Sequence, residues 1–265
     1  MSRRRGAGSG SMSGLWTGLC VVAILSGFAG CATIGDQACD KERPMTYQVE
    51  RLDGPMTIDG RWDKSAWQAV RPLVLTHHMG TKPEHFPKVE AKLRYDDAAL
   101  YVIFRVEDRY VRAVAARHQD SVCRDSCVEF FFTPGTDTSQ GYFNLEMNCG
   151  GTMLFNHQLA PGKDQVRIAA DDLAQVEVAT SMPRIVDPEI TKPTRWTAEY
   201  RLPLAILDKY FPIVPVKPAP GVTWRANVYK CADATSHPHW LTWSYVDKPK
   251  PNFHVPAFFG TLEFK

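Results

Sequence analysis

Short runs in which apolar and polar residues alternate make up much of the chain beyond residue 45, and turn-forming residues separate them. Residues 89–95 and 100–106 alternate in this way on either side of a short turn, and a period of two predicts a β-hairpin. Residues 128–133 and 142–149 do the same around the loop PGTDTSQG and predict a second hairpin. Further strands are predicted at 176–180, 196–202, 224–229 and 260–264.

Helical spacing of apolar residues is confined to two short segments, residues 64–69 and 204–210. The 19 prolines fall mostly in connections such as 212–220, which argues against a helical protein. Many short strands with few helices are typical of a sandwich or barrel. The sequence therefore predicts an all-β protein, an antiparallel β-sandwich with one or two short helices.

The first thirty residues have the pattern of a lipoprotein signal peptide. MSRRR supplies a positive start, and the apolar stretch at 15–28 is too short to span a bilayer. The residues around Cys31 resemble the bacterial lipobox, whose cysteine is lipidated; the alternative is an ordinary secretory signal cut nearby. Residues 31–45 are small and polar and predict a flexible tether. We therefore expect a protein of the bacterial cell envelope, lipid-anchored through Cys31 on the periplasmic or cell-surface side.

The predicted domain, residues 46–265, is long enough to bury a substantial core. The formal net charge of +2 is too small to imply nucleic acid as a partner. The partner must therefore be inferred from a candidate site.

Because side chains alternate between the two faces of a strand, residue parity tells which side chains share a surface. One face of the second hairpin is apolar and is expected in the core: Val128, Phe130, Phe132, Phe143, Leu145 and Met147. The opposite face, extended by the strand at 224–229, is polar. Its candidate ligand-binding residues are Glu129, Asn144, Glu146, Arg225, Asn227 and Tyr229.

This polar face has the chemistry of a sugar site, because amides, carboxylates and arginine match the paired hydroxyl groups of sugars. The alternative is the solvated outer face of an antiparallel sheet. A symmetric hairpin register sets Glu129 opposite Glu146, and like charges in that position repel. Arg225, a cation or a ligand should offset the repulsion. The same pair of carboxyls is compatible with a retaining glycosidase, but a flat sheet gives no asymmetry between the two pKa values, and we favour binding without catalysis.

Aromatic residues are candidates for stacking on sugar rings. Trp67, Trp196 and Trp224 lie in phase with apolar neighbours and are expected in the core. Trp240 and Trp243 are three residues apart, so one of them can project over the polar face. The nearby histidines at 237, 239 and 254 are interpreted as loop residues rather than as a metal site.

Cysteines beyond the signal and lipidation sites number five, at positions 39, 123, 127, 149 and 231. Export favours a disulfide, and parity puts Cys127 and Cys231 on the same face. We predict that these two pair, with Cys123 as the competing partner, and five free thiols as the alternative.

An ordered series of segments resembles the family 9 carbohydrate-binding modules and covers residues 47–265. The segments are GPMTIDGRWDKSAW, LRYDDAALYVIFRVED, RDSCVEFFFTPG, GYFNLEMNCGG, WTAEYRLPLAIL, WRANVYKC and FFGTLEF. The resemblance implies a jelly-roll-like β-sandwich with a sugar site on one sheet, no required cofactor and, in some members, structural calcium.

Carried over residue by residue, the acidic sugar ligand of the family falls on Glu129, and two polar positions of the next strand fall on Asn144 and Glu146. One tryptophan of the family's aromatic clamp falls at about Cys123, which departs from the pattern; Trp243 or Trp240 would supply the other. The resemblance implies non-catalytic binding of an oligo- or polysaccharide. Related sandwiches bind haem b, with methionines such as Met147 or Met153 as candidate ligands, and a structural or glycosidase-associated envelope module is a further alternative.

Overall fold

The computed structural model describes residues 45–265. The predicted signal peptide, the lipidation site Cys31 and almost all of the predicted tether lie outside the described residues.

Sixteen strands and three short α-helices make up the described chain. The strands are β1 Thr46–Arg51, β2 Leu73–Val74, β3 His77–His78, β4 Lys88–Tyr95, β5 Ala99–Asp108, β6 Val111–Ala113, β7 Cys127–Thr133, β8 Tyr142–Asn148, β9 Met153–Gln158, β10 Val166–Arg167, β11 Glu177–Thr180, β12 Val186–Ile190, β13 Thr194–Pro203, β14 Thr223–Cys231, β15 Trp240–Thr242 and β16 Gly260–Phe264. The helices are α1 Ser65–Gln68, α2 Ala170–Leu173 and α3 Leu204–Tyr210.

Fourteen of these strands form one curled, mixed sheet. Its order is β10-β9-β8-β7-β14-β16-β1-β4-β5-β13-β11, with β2 beside β4, β15 beside β14 and β3 beside β15. We call the strands on the β16 side of β1 and those on its β4 side the two halves of the sheet. Buried residues from both halves, such as Phe130 of β7 and Phe104 of β5, belong to one hydrophobic core. The fold is therefore the sandwich-like, all-β architecture that the sequence predicts.

Both predicted hairpins are present as β4 with β5 and β7 with β8, and all their pairing is antiparallel. β1 is the exception to the predicted antiparallel order. It runs parallel to β16 through its first four residues and parallel to β4 through its last two. The strand thus joins the two halves of the sheet, a role that its own alternating sequence does not reveal.

The helices predicted at 64–69 and 204–210 are α1 and α3. The short helix α2 is not among the predicted elements. Trp67, Trp196 and Trp224 are fully buried, as expected. Within residues 45–265, no helix is long and apolar enough to cross a membrane.

Candidate functional site

The polar face predicted from residue parity exists on β7, β8 and β14. Glu129 lies directly opposite Glu146 on one side and Tyr229 on the other. Asn144 and Asn227 both face Phe131. The regular antiparallel register therefore brings acids and amides from three strands together, as their alternation predicts.

This face is not the flat, open sheet that the sequence suggested. Residues of the segment 246–259 pack onto it and build a second apolar cluster, separate from the core between the two halves. Phe253 stacks on Tyr229 with ring centroids 4.2 Å apart, and Phe131 lies in the same cluster. The segment covers part of the face and leaves a cavity beside it.

The cavity has a volume of about 230 Å³, and we call it the carboxyl cavity. Glu129, Glu146 and Cys231 line it from the strands, and the covering segment contributes a second wall. Its lining residues are Cys123, Glu129, Glu146, Cys231, Asp233, Trp240, Pro251, Asn252, Phe253 and His254. Three carboxyl groups and no lysine or arginine thus face the carboxyl cavity.

Burial and mutual repulsion change the acidity of the two glutamates. Glu129 is 2% exposed and Glu146 is 6% exposed. Burial, and then the charge of Glu146, raise the pKa of Glu129 well above its usual value. Burial also raises the pKa of Glu146 to about 7, although Asn144 donates a hydrogen bond to its Oε1 at 3.0 Å. Near neutral pH, at least one of the two carboxyls therefore carries a proton.

A chain of hydrogen bonds supports the far wall of the carboxyl cavity. Gln158 Nε2 donates to Asn144 Oδ1 at 2.9 Å and lies 3.0 Å from Nδ1 of His254. The Tyr142 hydroxyl is also 3.0 Å from that nitrogen. Because an amide nitrogen donates, His254 Nδ1 accepts and the ring proton of the neutral form lies on Nε2. Burial lowers the pKa of His254 to about 4.

The two candidate tryptophans have different locations. Trp240 lies at the rim of the carboxyl cavity, where its Nε1 donates to Asp233 Oδ1 at 2.8 Å. Trp243 is 2% exposed and packs edge-on against Tyr47 in the core. Their opposite placement follows from the three-residue spacing, and of these two tryptophans Trp240 is the one that lines the carboxyl cavity.

Arg225, Asn227 and Tyr229 share the predicted face but do not line the carboxyl cavity. Arg225 donates through Nη2 to the carbonyl of Phe259. Asn227 is fully buried, and its side chain exchanges hydrogen bonds with the backbone of Ser244 at 2.9 and 3.0 Å. Tyr229 donates to the Phe253 carbonyl at 3.2 Å. Arg225 and Tyr229 thus hold the covering segment, and Asn227 holds Ser244 just before it. The three residues share the face of the glutamates, as parity predicts, but not their cavity.

Cys127 and Cys231 lie opposite each other on β7 and β14, so parity correctly placed them together. Both are free thiols, as are Cys123 and Cys149, and the predicted disulfide is therefore not formed in this structure. Cys231 Sγ instead donates to Glu129 Oε1 at 3.0 Å. Cys123 also lines the carboxyl cavity.

Calcium remains a prediction from the resemblance. Among the described residues, the group of acidic, histidine and cysteine side chains close enough to share one cation is Cys127, Glu129 and Cys231. Calcium takes six to eight oxygen ligands, so two sulfurs do not suit it.

The histidines at 237 and 239 belong to a different cluster, in which His239 lies 2.8 Å from the buried Lys230 ammonium.

A larger cavity of about 360 Å³ lies elsewhere, between the turn at 150–151 and β11. His118, Met153 and Arg184 are among its lining residues, and no carboxyl group is. Met147, the other candidate haem ligand, is buried in the core. This cavity contains none of the predicted sugar-binding residues.

Sequence reasoning missed the contribution of Asn252, Phe253 and His254 to the site. They follow one another in the stretch KPNFHVPAFF, which has neither a helical nor a strand period. Its aromatic residues between prolines were the available signal that a loop carries buried surface.

Comparison with known proteins gives a consistent result. The sequence model described as carbohydrate-binding family 9 matches residues 61–264. A solved structure described as that of a candidate carbohydrate-binding protein from Bacteroides uniformis is 26% identical with a TM-score of 0.75, and the match covers 84% of this chain and 100% of that one.

A family 9 carbohydrate-binding module from Caldicellulosiruptor kristjanssonii has been solved with cellotriose and with glucose. Both structures are 17% identical to this chain, with TM-scores of 0.56 and 0.55. The matches cover 83% and 82% of this chain and 94% and 95% of the module. Similarity at this identity shows a shared fold. No curated protein sequence matches the chain.

Proposed function

Because the chain belongs to carbohydrate-binding family 9, we propose that its β-sandwich binds an oligosaccharide, without cleaving it, in the carboxyl cavity. The observation that carries this proposal is the convergence of Glu129, Glu146 and Trp240 on one cavity. By resemblance, Glu129 falls at the position of the family's acidic sugar ligand and Glu146 at a polar position of the next strand. Trp240 supplies an aromatic ring at the rim.

The chemistry of the lining supports a sugar ligand. A protonated carboxyl donates one hydrogen bond and accepts others, and an ionised one accepts only. Glu129 and Glu146 together therefore match hydroxyl groups, each of which donates and accepts. Neutral His254 offers a further donor through Nε2, and the Trp240 ring offers an apolar face.

The size and charge of the carboxyl cavity restrict the ligand. Sites for drug-sized molecules have volumes of about 300–1,000 Å³, and this cavity is smaller, at about 230 Å³. It suits one sugar unit at the end of a chain, with the rest of the oligosaccharide passing the rim at Trp240. Three carboxyls without a facing cationic side chain favour a neutral sugar over a uronic acid.

The raised pKa values of both glutamates differ from the arrangement of a retaining glycosidase. Such an enzyme needs one ionised carboxylate as the nucleophile and one protonated acid. Burial raises the pKa of both Glu129 and Glu146, so neither is favoured as the ionised nucleophile. This supports binding without catalysis.

Membrane attachment through Cys31 and a location in the bacterial cell envelope also remain proposals, supported by the pattern of the first 31 residues.

A calorimetric titration with neutral oligosaccharides, chosen from a glycan array, tests the function. We expect the wild-type domain to bind and Glu129→Gln and Glu146→Gln to bind more weakly, while Glu84→Gln, an exposed glutamate outside the carboxyl cavity, should bind like wild type. If no array sugar binds at millimolar concentration, the proposal is wrong and a structural envelope module becomes the better interpretation.

A further inference from the structure

The two glutamates on the floor of the carboxyl cavity have no lysine or arginine beside them in the lining of that cavity. Glu129 and Glu146 face each other across β7 and β8, as the sequence predicted. Arg225, the expected counter-charge, donates to the Phe259 carbonyl instead. Lys230 points to Cys231 O at 2.9 Å and to His239 at 2.8 Å and does not line the carboxyl cavity.

Two thiols lie beside this pair of carboxyls. One ligand atom from each of Cys127, Glu129 and Cys231 lies within 4.8 Å of the other two, and all three residues are buried. Bonds of about 2.3 Å to sulfur and 2.0–2.2 Å to oxygen place the ligand atoms of a tetrahedral zinc site about 3.5–4 Å apart. Small side-chain movements therefore suffice to bring these three atoms around one ion.

We propose that Cys127, Cys231 and Glu129 bind a thiophilic divalent cation of the Zn²⁺ class at the floor of the carboxyl cavity. Two sulfurs and one carboxylate oxygen are ligands that zinc prefers. Glu129 and Cys231 line the carboxyl cavity and Cys127 lies behind them, so a cation can reach the site from solvent. Its fourth coordination position faces the carboxyl cavity, where water or a sugar hydroxyl completes the tetrahedron.

Cation binding is a proton exchange. Two sulfur–metal bonds form as two S–H bonds break, and the two protons pass to solvent; Glu129 releases a third proton where it was protonated. The dication then supplies positive charge to a cavity that no lysine or arginine lines.

The test uses the full-length protein, reduced and freed of metal with a chelator. Zn²⁺ is titrated by calorimetry, and Co²⁺ serves as the optical probe because thiolate ligands give it charge-transfer absorption in the ultraviolet. We expect saturation at one ion per chain, thiolate charge-transfer bands with Co²⁺, and release of at least two protons for each Zn²⁺ bound.

Three variants assign the ligands. Cys231→Ser and Glu129→Gln should each weaken Zn²⁺ binding at least about tenfold, since even indirect support of a metal ligand contributes about 10–100-fold in affinity. Cys149→Ser is the matched control, because Cys149 is also a buried free thiol but its Sγ donates to Arg112 O outside the group. It should bind Zn²⁺ like wild type.

Thermal unfolding in the presence of chelator checks that each variant folds. If Cys231→Ser does not fold, Glu129→Gln, which keeps the shape of the side chain, still tests the site. Three results would overturn the proposal: no Zn²⁺ binding at micromolar concentration, the same affinity in wild type and both ligand variants, or a Cys127–Cys231 disulfide in a non-reduced digest of the purified protein. No sugar enters these titrations, so they stand apart from the test of carbohydrate binding.

Discussion

The neutral state of His254 makes the stability of the protein depend on pH, and His254→Gln should remove part of that dependence. Protonation of Nδ1 would place an N–H against the Gln158 amide donor, 3.0 Å away, and would put a charge in a site that burial disfavours. The pKa of His254 is accordingly lowered from 6.5 to about 4. Glutamine removes the titration and keeps an acceptor for Gln158.

The sign follows from proton binding. Between pH 6.5 and about 4, the unfolded chain carries the His254 proton and the folded chain does not, so stability is lost as the pH falls through this window. At about 1.4 kcal/mol for each pH unit, lowering the pH from 7.5 to 5 costs wild type about 2 kcal/mol at this residue. Because the ring is partly exposed, this figure is an upper bound.

Urea unfolding of both proteins at several pH values measures the effect. Between pH 7.5 and 5, the unfolding free energy of His254→Gln should fall less than that of wild type, by up to about 2 kcal/mol. Other titrating groups, such as His239, whose pKa burial lowers to about 3, are the same in both proteins and cancel in the difference. The difference in unfolding free energy between the two proteins at pH 7.5, where His254 is largely neutral in the unfolded chain too, is the reference for the lower pH values. Parallel pH profiles for the two proteins would show that the pKa of His254 is the same in the folded and unfolded chains.

Three further predictions concern the tryptophans, a buried ion pair and ligand charge. Trp240→Ala should weaken oligosaccharide binding at least about fivefold in calorimetry, from the loss of roughly 1 kcal/mol of stacking. Trp243→Ala should instead lower the unfolding free energy by about 3–5 kcal/mol. Equal effects of the two variants on binding would contradict the placement of Trp240 at the sugar site. Asp108→Asn leaves the fully buried Lys230 ammonium, 3.6 Å from Asp108, without its counter-charge. The variant should be less stable by about 3–5 kcal/mol in urea unfolding. As a control, Asp97→Asn, at the exposed pair with Arg51, should change stability little. Oligosaccharides ending in a uronic acid should bind about tenfold more weakly than neutral ones of the same length at pH 8, where repulsion by the glutamates is largest; equal affinity would show that the carboxyls do not face the sugar.

The sequence predicts those parts of the fold in which apolar and polar residues alternate along a strand. The alternation along β7, β8 and β14 correctly places Phe130 in the core and Glu129 on the opposite face. The symmetric hairpin register also follows from the sequence, because a one-residue shift would move every apolar side chain out of the core. Glu129 and Glu146 could therefore be placed opposite each other without a structure.

The sequence does not predict the parts of the structure that depend on contacts between residues far apart in the chain. The segment 246–259 has no period, so nothing local shows that it packs onto Phe131 and Tyr229. In the folded chain Arg225 donates to the carbonyl of Phe259 in this segment, and Asn227 donates to the carbonyl of Ser244 just before it. Parity gives the face on which a side chain lies, and a covering loop decides whether solvent reaches that side chain.

The most direct test of the central claim is a crystal structure of the domain soaked with mixed neutral oligosaccharides, followed by the same soak of Glu146→Gln. We expect one sugar unit in the carboxyl cavity, hydrogen-bonded to Glu129 and Glu146 and in contact with the ring of Trp240, with lower occupancy in the variant. Sugar bound instead in the larger cavity near His118 and Met153, or on another surface, would contradict it.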